Sequence, residues 1–187
     1  MHLFDKPGEQ NTDKTLEIAF ERATKDGLKH VIVASTRGIV AEKALKTVPD
    51  GITLVVVTHS VGFREPGADE FSSEIREAYA GTRHHILTAT HLFRGLEGYL
   101  TKQFSGAYPP QVFATALRMF GEGTKVAYEI AMMAADAGLV PIDSWVISCG
   151  GTGRGLDTAY ILKPCNTTDL RRFRFGELLA IPSEYQR

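Results

Sequence analysis

Cysteine is scarce in this chain. The two present, Cys149 and Cys165, form no metal-ligand spacing and fit a reducing compartment. Long apolar runs are missing too. No stretch approaches the roughly 18 consecutive apolar residues needed to cross a bilayer, and the opening Met1-His2-Leu3-Phe4-Asp5 lacks a signal-peptide pattern. The expectation is a cytoplasmic protein without a membrane partner. Nor does charge of one sign dominate: 21 Lys+Arg stand against 22 Asp+Glu, for a net charge of -1. That balance gives no electrostatic case for nucleic acid, and the Arg171, Arg172 and Arg174 cluster is better explained as a solvated edge. Repeats, low-complexity tracts and dividing linkers are absent as well. The 187 residues therefore imply one domain over 1–187, and a 43% hydrophobic content is enough for a substantial core.

The pattern along the chain alternates. Asn11 to Asp26 carries Leu16, Ala19, Phe20 and Ala23 at helical spacing and ends at Gly27. His30 to Ala34 and Ile52 to Val57 are apolar on both faces, as central parallel strands are. Helices are expected at Ile39 to Lys46, about Asp69 to Ala80 and Glu122 to Ala137, with further strands at His85 to Leu87, Ser144 to Ser148, Asp157 to Lys163 and Glu177 to Ile181. Helices between strands imply a parallel sheet covered on both faces. The last strands lack room for crossover helices, so at least one should run antiparallel. The fold class is α/β: a three-layer α/β/α domain with a mostly parallel, mixed sheet.

Residues 92–120 break the alternation. Leu92 to Phe104 has helical character, Gly106 and Tyr108-Pro109-Pro110 interrupt it, and Pro110 can start another helix. Leu92, Phe93, Leu96, Phe113, Leu117 and Phe120 favour a fixed packing or dimer element over a hinged lid, which leaves a homo-oligomer open.

In open α/β sheets ligands sit beyond the carboxyl ends of the strands. Four segments leave strands there: Ser35-Thr36-Arg37-Gly38, Thr58-His59-Ser60, Thr88-Ala89-Thr90-His91 and Cys149-Gly150-Gly151-Thr152-Gly153. The helix opening at Gly121-Glu122-Gly123-Thr124-Lys125 starts from the same edge. Hydroxyls, glycine amides, a helix N-terminus, an arginine and a lysine together suit a phosphate. Any one of these loops is more simply a helix cap, but four on one edge favour a phosphorylated ligand.

Familiar signatures do not account for the rim. Gly150-Gly151-Thr152-Gly153-Arg154-Gly155 precedes a strand and has the wrong glycine spacing for a dinucleotide fingerprint, and Gly121 to Lys125 lacks the ending of a P-loop. His59, His84, His85 and His91 have no carboxylate or cysteine at ligand spacing, so hydrogen-bonded histidines are expected and no metal. No Gly-x-Ser-x-Gly elbow occurs, and Cys149 can equally be a small buried residue or a nucleophile.

Several of these stretches carry a resemblance. Val33-Ala34-Ser35-Thr36-Arg37-Gly38 with the helix after it resembles the phosphate-cradling strand-turn-helix of the pyruvate kinase C-terminal domain. "GGTGRGLDTAYIL" is similar to that domain's second phosphate loop. The whole chain is similar to small stand-alone microbial proteins of this type that bind flavin mononucleotide (FMN), through "NTDKTLEIAFERA", "VVVTHSVGF", "TATH" and "FGEGTKVAYEIAMMAADAGLVP". The resemblance implies the fold, a phosphate site and FMN as cofactor, and it does not imply kinase activity. Ser35, Thr36, Gly38 and the loop Gly150, Gly151, Thr152, Gly153 would hold the phosphate and ribityl chain, His59, Thr90 and His91 would face the ring or a substrate, and Arg37 departs from the glycine or serine common there in the kinase domain. Thr58, His59, Thr88, Thr90, His91, Gly123, Thr124 and Lys125 complete the expected rim. The function expected is FMN binding, extending to a flavin-dependent reductase. The alternatives are a non-catalytic sensor of a phosphorylated metabolite, or a phosphosugar enzyme with His59 or His91 as general base.

Overall fold

The computed structural model describes residues 1–184. Seven strands form one sheet: β1 (His2–Phe4), β2 (His30–Ala34), β3 (Thr53–Thr58), β4 (His85–Thr88), β5 (Val146–Gly150), β6 (Thr158–Lys163) and β7 (Arg174–Pro182). Their spatial order is β1-β7-β6-β5-β2-β3-β4. β2 pairs in parallel with β3 and β5, β3 with β4, and β1 with β7. β6 runs antiparallel to both neighbours, as the short connections require. The helices are α1 (Thr12–Asp26), α2 (Ile39–Thr47), α3 (Ser73–Tyr79), α4 (Leu96–Phe104), α5 (Pro109–Arg118) and α6 (Glu122–Asp136). The domain is an α/β fold with a mixed, mostly parallel sheet.

Strand alternation splits the core in two. Val31, Val33, Leu54 and Val56 point into a cluster with Leu16, Phe20, Val40 and Tyr79 of α1, α2 and α3. Ile32, Val55 and Val57 point the other way, against Leu117 of α5 and Ile130, Met132 and Met133 of α6. Each such side chain removed from water is worth about 1.5–3 kcal/mol, so both faces must be covered. α1 buries Leu16, Ala19, Phe20 and Ala23 and stops at Gly27, whose φ of 67° lets its N–H close back on the helix. α6 is buried nearly all round, because it lies between the sheet and α5.

Boundaries differ from expectation in physically simple ways. α3 starts at Ser73, because the Ser72 hydroxyl accepts the Ile75 N–H and fixes the N-cap there. Strand β1 was not legible in the sequence: of its three residues only Phe4 is buried, so there is no alternation to read. β7 is longer than expected because its first half is an exposed edge of the β6 pairing. Among the described residues no helix is long and apolar enough to cross a membrane.

Candidate functional site

β2, β3, β4 and β5 all end at one edge of the sheet, and a cavity of about 850 Å³ opens there. Its floor is the turn between β2 and α2, its walls are the loops after β3 and β5, and its roof is the α4–α5 excursion. Ser35, Thr36, Arg37, His59, His91, Lys125, Gly151 and Gly153 line it. At the turn, Ser35 Oγ accepts the Ala41 N–H at 3.2 Å. The amides ahead of Ala41 have no intrahelical partner, and Ile39 and Val40 face the cavity.

The other expected rim residues do not line the cavity. Gly123 of α6 and Gly150 of β5 touch: a Cβ on Gly150 would lie 2.2 Å from the Gly123 carbonyl oxygen. Gly38 has φ 103°, and a Cβ there would lie 3.0 Å from Ile75 of α3. Thr124 donates to the Phe120 carbonyl at 2.8 Å. Thr58 Oγ1 donates to the His59 carbonyl and shares a 2.8 Å hydrogen bond with the Thr88 hydroxyl. Thr90 is exposed beyond the lining. Thr152 shapes the glycine loop: its N–H, that of Gly8 and the Thr158 hydroxyl all donate to the buried Asp157 carboxylate.

Charge is the distinctive property of this space. Eight cationic side chains line it, from Arg37, Lys43 and Arg154 near the floor to Arg94, Lys102 and Arg118 in the roof. Among the described residues only three carboxylates do so, Glu9, Glu122 and Glu129. Pairing commits Arg118 to Glu122 at 2.7 Å, Lys125 to Glu129, Arg64 to Glu70 at 3.3 Å and Lys43 to Asp13 at 2.8 Å, so the excess rests on Arg37, Arg94, Lys102 and Arg154 against Glu9.

Glu129 is the buried hinge of the network. Its carboxylate is wholly buried, accepts the Phe93 N–H at 2.9 Å, and pairs with Lys125 and with His91 Nδ1 at 3.2 Å. Burial alone would raise its pKa, but the hydrogen bond from His91 and the Lys125 charge prevail and hold it at about 2. His91 Nε2 lies 3.0 Å from the Thr58 carbonyl, so each ring nitrogen lies within hydrogen-bond distance of an oxygen. Across the cavity His59 Nδ1 lies 3.0 Å from Glu70 Oε2, and its Nε2 lies 3.3 Å from Thr36 Oγ1. Desolvation lowers the His59 pKa, outweighing the Glu70 hydrogen bond that raises it. Its ring is therefore neutral at pH 7. Phe63 stacks on that ring at 3.8 Å between centroids, and Arg94 covers Phe63.

Glu70, Glu129, Phe63, Arg64, Arg94 and Arg118 were missed in the sequence. Glu129 left a trace there: it stands four residues after Lys125 in an otherwise apolar helix, and a carboxylate in such a face needs a partner. Glu70 left none. His84, by contrast, is structural, since its Nδ1 accepts the Leu54 N–H at 3.0 Å. Cys149 is wholly buried, and desolvation pushes its thiol up to about 12, so it is no nucleophile.

The family model for the pyruvate kinase alpha/beta domain matches residues 13–162. The chain belongs to the pyruvate kinase alpha/beta domain family. The match runs from α1 through most of β6 and includes the loops after β2, β3, β4 and β5, whereas β1, the lining residues Glu9 and Thr12, and β7 lie outside it. Membership accounts for the parallel core and the strand-turn-helix at Ser35 to Gly38. It assigns no ligand to the cavity of this family member.

Proposed function

We propose that this cavity binds a phosphorylated small molecule, FMN in the first instance, with the phosphate at the β2–α2 turn. The observation that carries the reading is the excess of cations over carboxylates in a concave site at the ends of parallel strands. Ser35, Arg37 and the amides opening α2 supply donors to an anion, and Gly151 and Gly153 of the loop after β5 face them across the cavity. The residues also fit the rest of FMN. The volume falls within the range of about 300–1,000 Å³ usual for small-molecule sites, and Phe93, Ala114 and Val126 give an isoalloxazine ring apolar surface. Bound there, the flavin would supply electron-transfer chemistry, and the protein would bind, orient and shield it.

The test is discrimination between FMN and riboflavin by fluorescence quenching. A phosphate-anchored site leaves several desolvated donors unpaired when riboflavin binds, so FMN should bind at least about tenfold tighter. Equal dissociation constants would remove the phosphate anchor, and with it this reading.

A further inference from the structure

One arrangement at the cavity floor goes beyond holding an anion. Thr36 Oγ1, His59 and Glu70 form an unbroken chain: hydroxyl to Nε2 at 3.3 Å, Nδ1 to carboxylate at 3.0 Å. The carboxylate is nearly buried and is steadied on its other oxygen by Arg64 Nε at 3.3 Å. Nδ1 faces a carboxylate and so carries the proton, which leaves the Nε2 lone pair for the Thr36 hydroxyl. Phe63, stacked on the ring, restricts its rotation. Thr36 stands on a strand-to-helix turn with the first amides of α2 just beyond it, where an oxyanion is best received. Nucleophile, base and orienting group meet here without any motif in the sequence, since their positions are 23 and 11 residues apart.

We propose that Thr36, His59 and Glu70 are a nucleophile–base–carboxylate relay for acyl transfer, acting on esters or thioesters that carry a phosphate or carboxylate. The choice of an anionic substrate rests on the cationic cavity described above; the relay itself does not. In the first step the Thr36 O–H bond breaks, its proton goes to His59 Nε2, and Oγ1 bonds to the acyl carbon. The alcohol or thiol leaves with that proton. Water then gives a proton to Nε2 and attacks the acyl carbon. The Oγ1–acyl bond breaks, the proton returns to Thr36, and a carboxylic acid is released. Glu70 is a positioning residue, since it acts only through His59.

The test uses the full-length protein and a fluorophosphonate probe, which transfers its phosphonyl group to activated hydroxyls with loss of fluoride. The expected result is one adduct per chain, mapped to Thr36 by peptide mass spectrometry and retained in Thr36→Ser. Thr36→Ala should abolish it, and His59→Gln should slow it by about 100-fold, the usual contribution of a positioned general base. The rate should rise with pH through a midpoint below the ordinary histidine value. Glu70→Gln should move that midpoint lower still, because its hydrogen bond favours the charged ring. Arg64 and His91, the other charged groups facing the ring, remain in both proteins. A Glu70 that only held the loop together would change the rate and leave the midpoint in place. FMN titration of the same samples separates the two readings. FMN binding without a Thr36 adduct overturns the relay alone, and an adduct without FMN binding supports the relay and overturns the ligand assignment.

Discussion

Replacing Glu129 by Gln is the sharpest probe of the buried network, because it removes one charge and almost no volume. In the wild type the Glu129 carboxylate answers Lys125, His91 and the Phe93 N–H at once. Glutamine keeps an acceptor for Phe93 and turns an amide donor toward the Lys125 ammonium and His91. Breaking a buried pair from one side costs about 3–5 kcal/mol. Linkage gives a similar figure. Held at about 2 against an ordinary 4.5, the carboxylate contributes on the order of 3 kcal/mol when ionised. Its folded value is depressed, so this stability is complete above pH 4.5 and is lost as pH falls toward 2. Urea unfolding of both proteins at pH 7 should therefore show Glu129→Gln lower in midpoint by about 2 M, for a slope near 2 kcal/mol per molar. The gap should persist unchanged from pH 8 to about pH 5 and narrow below that. A midpoint difference under about 0.5 M at pH 7, or a gap already closing above pH 5, would refute the assignment of Glu129 as an ionised buried anchor.

Gly150→Ala should lower the thermal midpoint, because its Cβ would meet two backbone atoms, Gly123 O at 2.2 Å and Ala127 N at 2.8 Å. The cost is about 1–3 kcal/mol or more; unchanged stability, measured by calorimetry, would return Gly150 to the ligand rim. Residues 92–120 should behave as a fixed roof. Glu129 pins their start at Phe93, while Thr101 and Gln111 join α4 to α5 at 2.9 Å. Hydrogen exchange with and without FMN should then change at the β2–α2 turn and the 150–155 loop and stay level across 92–120. A large FMN-dependent gain of protection in 92–120 would make it a lid.

Much of this domain was legible in its sequence, and some of it could not be. His30–Ala34 and Thr53–Thr58 announced themselves as central parallel strands, because a strand buried on both faces has no polar residue to alternate with. The missing crossovers near the end of the chain dictated antiparallel pairing, which β6 supplies. Residue types at strand ends marked the edge where Ser35, Thr36, His59, His91 and Lys125 meet. Which glycines serve a ligand lay beyond the sequence. Gly123 and Gly150 lack side chains so that α6 can touch β5, and Gly151 lacks one because its Cβ would lie 2.0 Å from the Gly155 carbonyl oxygen, while Gly153 lies open on the cavity; a close approach looks the same in sequence whichever partner it admits. The same holds for the acidic partners. Glu70 reaches His59 only because the loop after β3 folds back over the floor, and Glu129 reaches His91 only because the segment after β4 passes over α6. Hydrogen bonds act over about 3 Å, so the pairing of side chains 11 and 38 residues apart was decided by the packing of helices on the sheet.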